Sequence, residues 1–409
     1  MSRTCRLAFL AAVLTLLSGC PPQTSELEPF RPAAKKDYSR PLPPGQLALR
    51  KIAPEDYPDF KRGFDKRPDL IQAVNHSLAY LSKPSSRKYF PYGEITHDRA
   101  VASLRAFLDV LRSASTPEEF DSLIRQRFDV YQSVGCDDLG TVYFTGYYTP
   151  IFEGRRRPDA RFRYPLYRLP PDLVKDEEGQ ALGRRLPNGS IEPRYYTRRE
   201  IEEGGVLRGQ ELAWLKDPFE AYVVTVQGSA RLRLADGTLW ELGYAGNNGH
   251  EYTPIAEKMI ADGVIRRDEL SLQTLIRYFA AHPERVREYT LQNDRYVFFR
   301  ESRGGPFGSL NVPVLPYRSI ATDKQVFPRA CLAFLDTRVP AVAGDQVQVV
   351  PYAGFALDQD TGGAIRAAGR CDIYMGVGQK AEAVAGRTGS EGKLYYLFVK
   401  NKPTMAAAP

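Results

Sequence analysis

Apolar residues first recur at helical spacing near Gln72, and again over residues 101–111 and 117–134. Thr116, Pro117 and Glu119 supply a capping hydroxyl, a first-turn proline and a first-turn carboxylate, so a helix is predicted to start there. After Gly140 the period changes. Residues 141–145 read as a strand, followed by Gly146, Tyr147, Tyr148, Thr149 and Pro150 as an aromatic turn segment. A polar, proline-rich stretch covers about residues 155–200 and contains the turn signal Pro187-Asn188-Gly189. Residues 222–227 and 230–234 read as strands around Gly228-Ser229, with a hairpin turn at Asp236-Gly237. Helical spacing returns over 255–261 and 272–279, and strand character over 296–300, 346–350 and 393–399. The pattern predicts a mainly β protein with peripheral helices.

The first twenty residues carry a different signal. Arg3 and Arg6 precede an apolar stretch from Leu7 to Leu17, which is about half the length needed to cross a bilayer. Residues 1–19 therefore read as a removable signal peptide. Leu17-Ser18-Gly19-Cys20 resembles the bacterial lipobox, which implies a lipidated Cys20, with an ordinary secretory signal cut elsewhere as the alternative. Pro21, Pro22 and Gln23 lack the aspartate that retains many such lipoproteins at the inner membrane. The expected location is the periplasmic face of the outer membrane. Residues 20–45, rich in Pro, Lys, Glu and Ser, read as a lipidated N-terminus and tether.

Composition narrows the function classes. With 43% hydrophobic and 11% aromatic residues the chain can build substantial cores, and its 409 residues suffice for two domains. The net charge of +7 favours an anionic wall polymer or lipid surface. No lysine-arginine tract with interleaved aromatics marks a nucleic-acid platform. Besides Cys20, the cysteines beyond the leader are Cys136, Cys331 and Cys371, which allow one disulfide and a spare thiol or three buried thiols. His76, His97, His250 and His282 are scattered and no zinc spacing occurs, so neither a metal site nor a cofactor is expected.

The densest carboxylate signal lies in the last third. Asp358 and Asp360 precede Thr361-Gly362-Gly363-Ala364-Ile365, and Asp372 opens Asp-Ile-Tyr-Met-Gly. A carboxylate held on such an edge can be partly desolvated, which raises its pKa toward that of a working proton donor. Caps and turns are the competing use of the same residues.

The segments Phe144-Thr145-Gly146-Tyr147-Tyr148-Thr149-Pro150, Val226-Gln227-Gly228-Ser229, Gly243-Tyr244-Ala245-Gly246-Asn247-Asn248, Tyr296-Val297-Phe298-Phe299-Arg300, Asp360-Thr361-Gly362-Gly363-Ala364-Ile365 and Arg370-Cys371-Asp372-Ile373-Tyr374 follow one another in order. Together they resemble the membrane-bound lytic murein transglycosylase A family over about residues 141–399. The resemblance implies a six-stranded double-psi β-barrel domain, a second inserted β domain and a substrate groove between them. Placed on this sequence, residues 46–159 hold the helical region and the first part of the barrel body. Residues 160–250 are the inserted β domain, 251–400 the C-terminal barrel region, and 401–409 a tail.

The resemblance further implies cleavage of peptidoglycan at the β-1,4 bond between N-acetylmuramic acid and N-acetylglucosamine, leaving a 1,6-anhydromuramic acid end, with strand-end (exolytic) preference. Asp372 matches the sole catalytic acid/base, and Asp323 and Asp360 match two supporting aspartates. The sequence departs from the family at Ala367-Ala368, where Gly is common, and at Cys371. Tyr147, Tyr148, Gln227, Ser229, Asn247 and Asn248 are the groove candidates for substrate binding, with His250 beside them. The expected partners are peptidoglycan glycan strands, the membrane through the lipid anchor, and cell-wall synthesis or remodelling proteins. Two other readings differ in class: a muramidase that admits water to the same cleft, and a wall-binding lipoprotein without turnover.

Overall fold

A computed structural model describes residues 36–64, 67–176, 179–343 and 346–401. The expected signal peptide 1–19, the expected lipidation site Cys20, most of the expected tether 20–45 and nearly all of the tail 401–409 lie outside them. Among the described residues no helix is long and apolar enough to cross a membrane.

The largest sheet closes on itself. Val142–Thr149 pairs with Arg370–Val377, which pairs with Ser319–Ala321, then Gln346–Asp360, Leu332–Ala343 and Gly389–Val399; the last of these returns to Val142–Thr149. Six strands thus form a closed barrel with no free edge along the ring. Phe128–Ser133 and Leu49–Lys51 extend the sheet outward from Gly389–Val399.

Three helices, Arg67–Leu81, His97–Ser113 and Pro117–Arg127, share the barrel's hydrophobic core. The Phe355 ring meets Phe60, Phe107, Phe120 and Phe334 with centroids 4.8–5.8 Å apart. Such pairs each contribute about 0.5–1.5 kcal/mol beyond their area. They fasten the Gln346–Asp360 strand, whose last residue enters the site.

A second sheet has the order Val297–Ser302, Leu239–Asn247, Ala230–Arg233, Ile151–Arg155, Glu211–Leu215, Tyr164–Tyr167, with its own core around Leu212, Leu232, Trp240 and Phe299. It draws on residues beyond both ends of the expected 160–250. A small three-stranded sheet, Leu173–Lys175, Ala181–Arg185 and Ile191–Glu192, carries the Pro187-Asn188-Gly189 turn between its last two strands.

Several local expectations hold. Thr116 caps Glu119 at the start of Pro117–Arg127, and helices Ile255–Ala261 and Leu272–Ala281 lie where the spacing put them. Three do not. The helix predicted over 117–134 ends at Arg127, and Phe128–Ser133 is a strand in which polar Asp129 and Ser133 are buried along with the apolar residues, so burial does not follow the polar-apolar pattern. The aromatic turn segment 146–149 continues the strand Val142–Thr149. Residues 222–227, predicted as a strand, end the helix Pro218–Gln227.

Asp217 accepts from the Phe219 and Glu220 amides at that helix's start, Pro218 occupies its first turn, and Gly228 closes it at φ +77°. Its valine run packs two ways, Val223 into a helical cluster and Val224 into the second sheet's core. Tertiary burial overrides the β preference of the run. Cys136, Cys331 and Cys371 are three buried free thiols, so the disulfide option fails.

Candidate active site

Strand register assembles the site. Ala321 of Ser319–Ala321 pairs with Asp360 on one side and Asp372 on the other, and Asp372 pairs in turn with Thr145. The two aspartates thus sit two strands apart, roughly 10 Å between Cα atoms at ordinary strand spacing. Alternation decides which side chains face out. Cys371, Ile373 and Met375 belong to the barrel core, while Asp372 and Tyr374 line a cleft of about 860 Å³. The same rule sends Phe144 and Tyr148 inward and Tyr147 outward.

Asp372 Oδ1 is buried without a hydrogen-bond partner. Burial lifts its carboxyl to about 6 against the opposing pull of the Arg370 charge and a Thr145 hydrogen bond, and the Asp360 charge pushes the same way as burial. Arg370 itself donates toward Thr145 Oγ1 at 3.5 Å, so the hydroxyl beside the acid is also held by the cation. An acid poised there holds its proton in mildly acidic surroundings and releases it readily.

Asp360 is held from three sides. Its Oδ2 accepts from the Tyr147 hydroxyl at 2.8 Å, and its Oδ1 accepts from the backbone amides of Ser309 and Thr361 at 2.7 and 2.8 Å. Burial raises its pKa while these donors hold it down. Asp323 accepts from the amides of Gln325 and Ala367, which ties the end of Ser319–Ala321 to the loop after Gly362-Gly363. Ala367 has φ +61°, in the left-handed region that favours glycine, and the Asp323 bond fixes its amide there. Asp358 is not exposed to the cleft. It is fully buried, pairs with Lys324, and accepts from Thr322 and Tyr396.

The groove candidates divide. Tyr147 lines the cleft, its ring 5.1 Å from that of Tyr374. Tyr148 does not: it is 1% exposed and donates to Glu382 behind the strand, so it offers no face to a sugar. Gln227 and Ser229 line the cleft and also clamp the barrel strand, Gln227 by accepting from the Tyr148 amide and Ser229 through Thr149. Asn247 reaches the cleft beside Tyr244, to whose hydroxyl it donates. Asn248 is 2% exposed and spends its amide on Tyr196, Asp294 and Tyr296, so it is a backbone clamp. His250 bonds to the Tyr195 carbonyl and does not line the cleft.

Sequence reading missed Thr145, Lys324 and the Ser309 amide as parts of the site, although Arg370 and Thr145 fall inside quoted motifs. Their roles depend on strand pairing and on a loop 51 residues from Asp360. Among the described residues no group of carboxylates, histidines and cysteines is arranged to hold a metal ion.

Residues 143–300 match the family model described as the MltA specific insert domain, and residues 318–398 match the 3D domain. The chain is 28% identical to the membrane-bound lytic murein transglycosylase A of Vibrio cholerae over 98% of its own length and 96% of the relative's. It is 32% identical to the protein of that name from Escherichia coli K12, over 66% of this chain and 69% of the relative. A crystal structure of a membrane-bound lytic murein transglycosylase from Agrobacterium tumefaciens superposes with a TM-score of 0.71 at 28% identity, covering 86% of this chain and 98% of the other.

Proposed function

Since the chain belongs to the membrane-bound lytic murein transglycosylase A family, we propose that it cleaves peptidoglycan glycan strands between N-acetylmuramic acid and N-acetylglucosamine, using Asp372 alone as acid and base. The observation that carries the reading is the Asp372 carboxyl: buried, raised to about 6, and with one oxygen unpartnered in the cleft.

Protonated Asp372 gives its proton to the glycosidic oxygen as the bond from muramic C1 breaks, and the N-acetylglucosamine leaves with a free 4-hydroxyl. The muramic C6 hydroxyl oxygen then bonds to C1, and its proton passes to the Asp372 carboxylate. The acid is regenerated, no water is consumed, and the product ends in 1,6-anhydromuramic acid. Attack from within the same sugar carries a large proximity advantage, so no second carboxylate has to activate water. Asp360, fixed by Tyr147 and two amides, supports the acid by its charge; Asp323 supports the loop that borders it. Tyr147, Gln227, Ser229 and Asn247 border the sugar path.

In this reading the closed ring is a double-psi barrel and the second sheet an inserted domain. The enzyme works from strand ends, held by lipidated Cys20 at the periplasmic face of the outer membrane beside wall-building partners. Mass analysis of muropeptides released from purified sacculi tests the chemistry. The expected product carries the anhydro end; one heavier by a water would assign hydrolysis instead. Full turnover by Asp372→Asn would remove the acid assigned here.

A further inference from the structure

Seven cations line the cleft, and among the described residues only Lys324 is in an ion pair; Arg329 lies over the Tyr89 ring and Arg168 bears on Glu301, which leaves four. Lys175 belongs to the small three-stranded sheet, Arg300 to the second sheet, Arg295 to the turn before it, and Arg366 to the loop after Gly362-Gly363. None of the four forms an ion pair among the described residues. Lys175 donates to the Ala245 carbonyl, Arg295 to the His250 carbonyl and Arg300 to Asn311, while Tyr244 and Glu251 act on Arg295 from beyond ion-pair distance. Elsewhere exposed or half-exposed cations such as Arg40, Arg62, Arg156, Arg184 and Arg267 are paired with acids.

Like charges face one another in two pairs instead, Lys175 with Arg300 and Arg295 with Arg366. Burial and the nearby Arg300 charge lower the Lys175 pKa; burial, with the Arg366 charge opposing protonation, lowers that of Arg295. Half-buried like charges cost stability unless an anion completes them. The glycan backbone of N-acetylated sugars cannot do so, since it is uncharged. The catalytic acid is also not their partner, because the cation that bears on Asp372 is Arg370, outside this group. Wall polymer offers one abundant anion beside its sugars: the free carboxylates of the peptide stems.

We propose that Lys175, Arg295, Arg300 and Arg366 form a carboxylate subsite that reads the peptide stems of the glycan strand in the cleft. The subsite rests on the transglycosylase reading of the same cleft. It makes this a cutter of stem-bearing strands, with the barrel wall performing the chemistry and the cationic wall selecting the substrate. Gly246 belongs to the arrangement: a Cβ there would lie 2.6 Å from Lys175 Nζ, so the glycine leaves room for the ammonium to settle at the cleft wall.

The test compares full-length enzyme on three substrates: stem-bearing strands, the same strands with stem carboxylates converted to amides, and strands stripped of stems by an amidase. The stripped strands expose lactyl carboxylates instead. Anhydro products are measured for wild type and for the double variant Lys175→Gln/Arg300→Gln. The expected result is that wild-type kcat/KM on native stems exceeds that on both other substrates. The double variant lowers this preference about ten-fold, toward one, and flattens its salt dependence. Equal wild-type rates on native and amidated stems would overturn the subsite, as would an unaltered preference in the double variant. Equal losses on native and stripped strands would assign the anion to the lactyl group and overturn the stem reading. No anhydro product from any substrate would instead refute the transglycosylase reading on which the subsite stands.

Discussion

The two walls of the cleft are built on opposite plans. On the barrel wall Asp360 is held by Tyr147 and two amides and Asp323 by two amides, and behind that wall Asp358 is held by Lys324, Thr322 and Tyr396. Of these four aspartates Asp372 alone keeps a buried oxygen without a partner among the described residues. On the facing wall Lys175, Arg295 and Arg300 form no ion pair among the described residues. The difference separates tasks. Reaction chemistry needs a carboxyl of fixed geometry in dry surroundings, which paired strands of a closed ring supply. Recognition of a charged polymer needs cations whose counter-ions arrive with it.

The contrast breaks first at Asp372. Replacing it by Asn is expected to lower kcat on sacculi by about a thousand-fold, within the range for loss of a general acid, while thermal unfolding shows the fold intact. An Asn variant with wild-type turnover would make the unpartnered oxygen irrelevant. Asp360→Asn comes next. It removes a charge that raises the Asp372 pKa and loosens the Tyr147 contact, so turnover should fall about ten-fold or more. The acid must be protonated to act, so wild-type kcat/KM falls as pH rises through about 6. In Asp360→Asn that alkaline limb moves to lower pH.

Arg370→Met should shift the limb the other way, to higher pH, because the cation favours the charged form of Asp372. Its cost in kcat at the optimum is under about ten-fold, and a limb that stays put would exclude Arg370 from tuning the acid. The smallest effect on turnover, none, is expected for Glu220→Gln, outside the cleft. Burial, then Asp217, raises Glu220 to about 7. The folded state therefore binds its proton more tightly than the unfolded chain, and stability falls as pH rises from the ordinary Glu range through about 7. Gln removes that loss, adding on the order of 2 kcal/mol above pH 7 and little below pH 4. The check is a comparison of unfolding midpoints at the two pH values.

Much of the site was legible because its chemistry sits in short motifs: Asp360 before Gly362-Gly363, Asp372 before Ile373-Tyr374, and Tyr147 next to Gly146. What could not be read was direction. Tyr147 and Tyr148 are equivalent as letters, yet alternation along one strand puts one in the cleft and the other in the core, and the strand had to be known to run through Thr149. Asn247 and Asn248 part for a similar reason. The helix at 222–227 was hidden because burial on two sides filled it with β-branched valines, and the strand at 128–133 because polar Asp129 and Ser133 are buried along with Phe128 and Val130. Arg370 acting through Thr145, and Ser309 on Asp360, are long-range facts of pairing that no local period records.

The ring's seam also sets a schedule. Gly389–Val399 closes the barrel by joining Leu332–Ala343 to Val142–Thr149, and it follows Asp372 in the chain. A chain emerging N-terminus first has therefore made its acid before it can shut the ring whose wall carries it. Until that strand docks, Leu332–Ala343 and Val142–Thr149 keep open edges and the core behind the acid is unfinished. The last barrel strand to be made is thus the one that completes the rigid wall on which Asp372 is mounted.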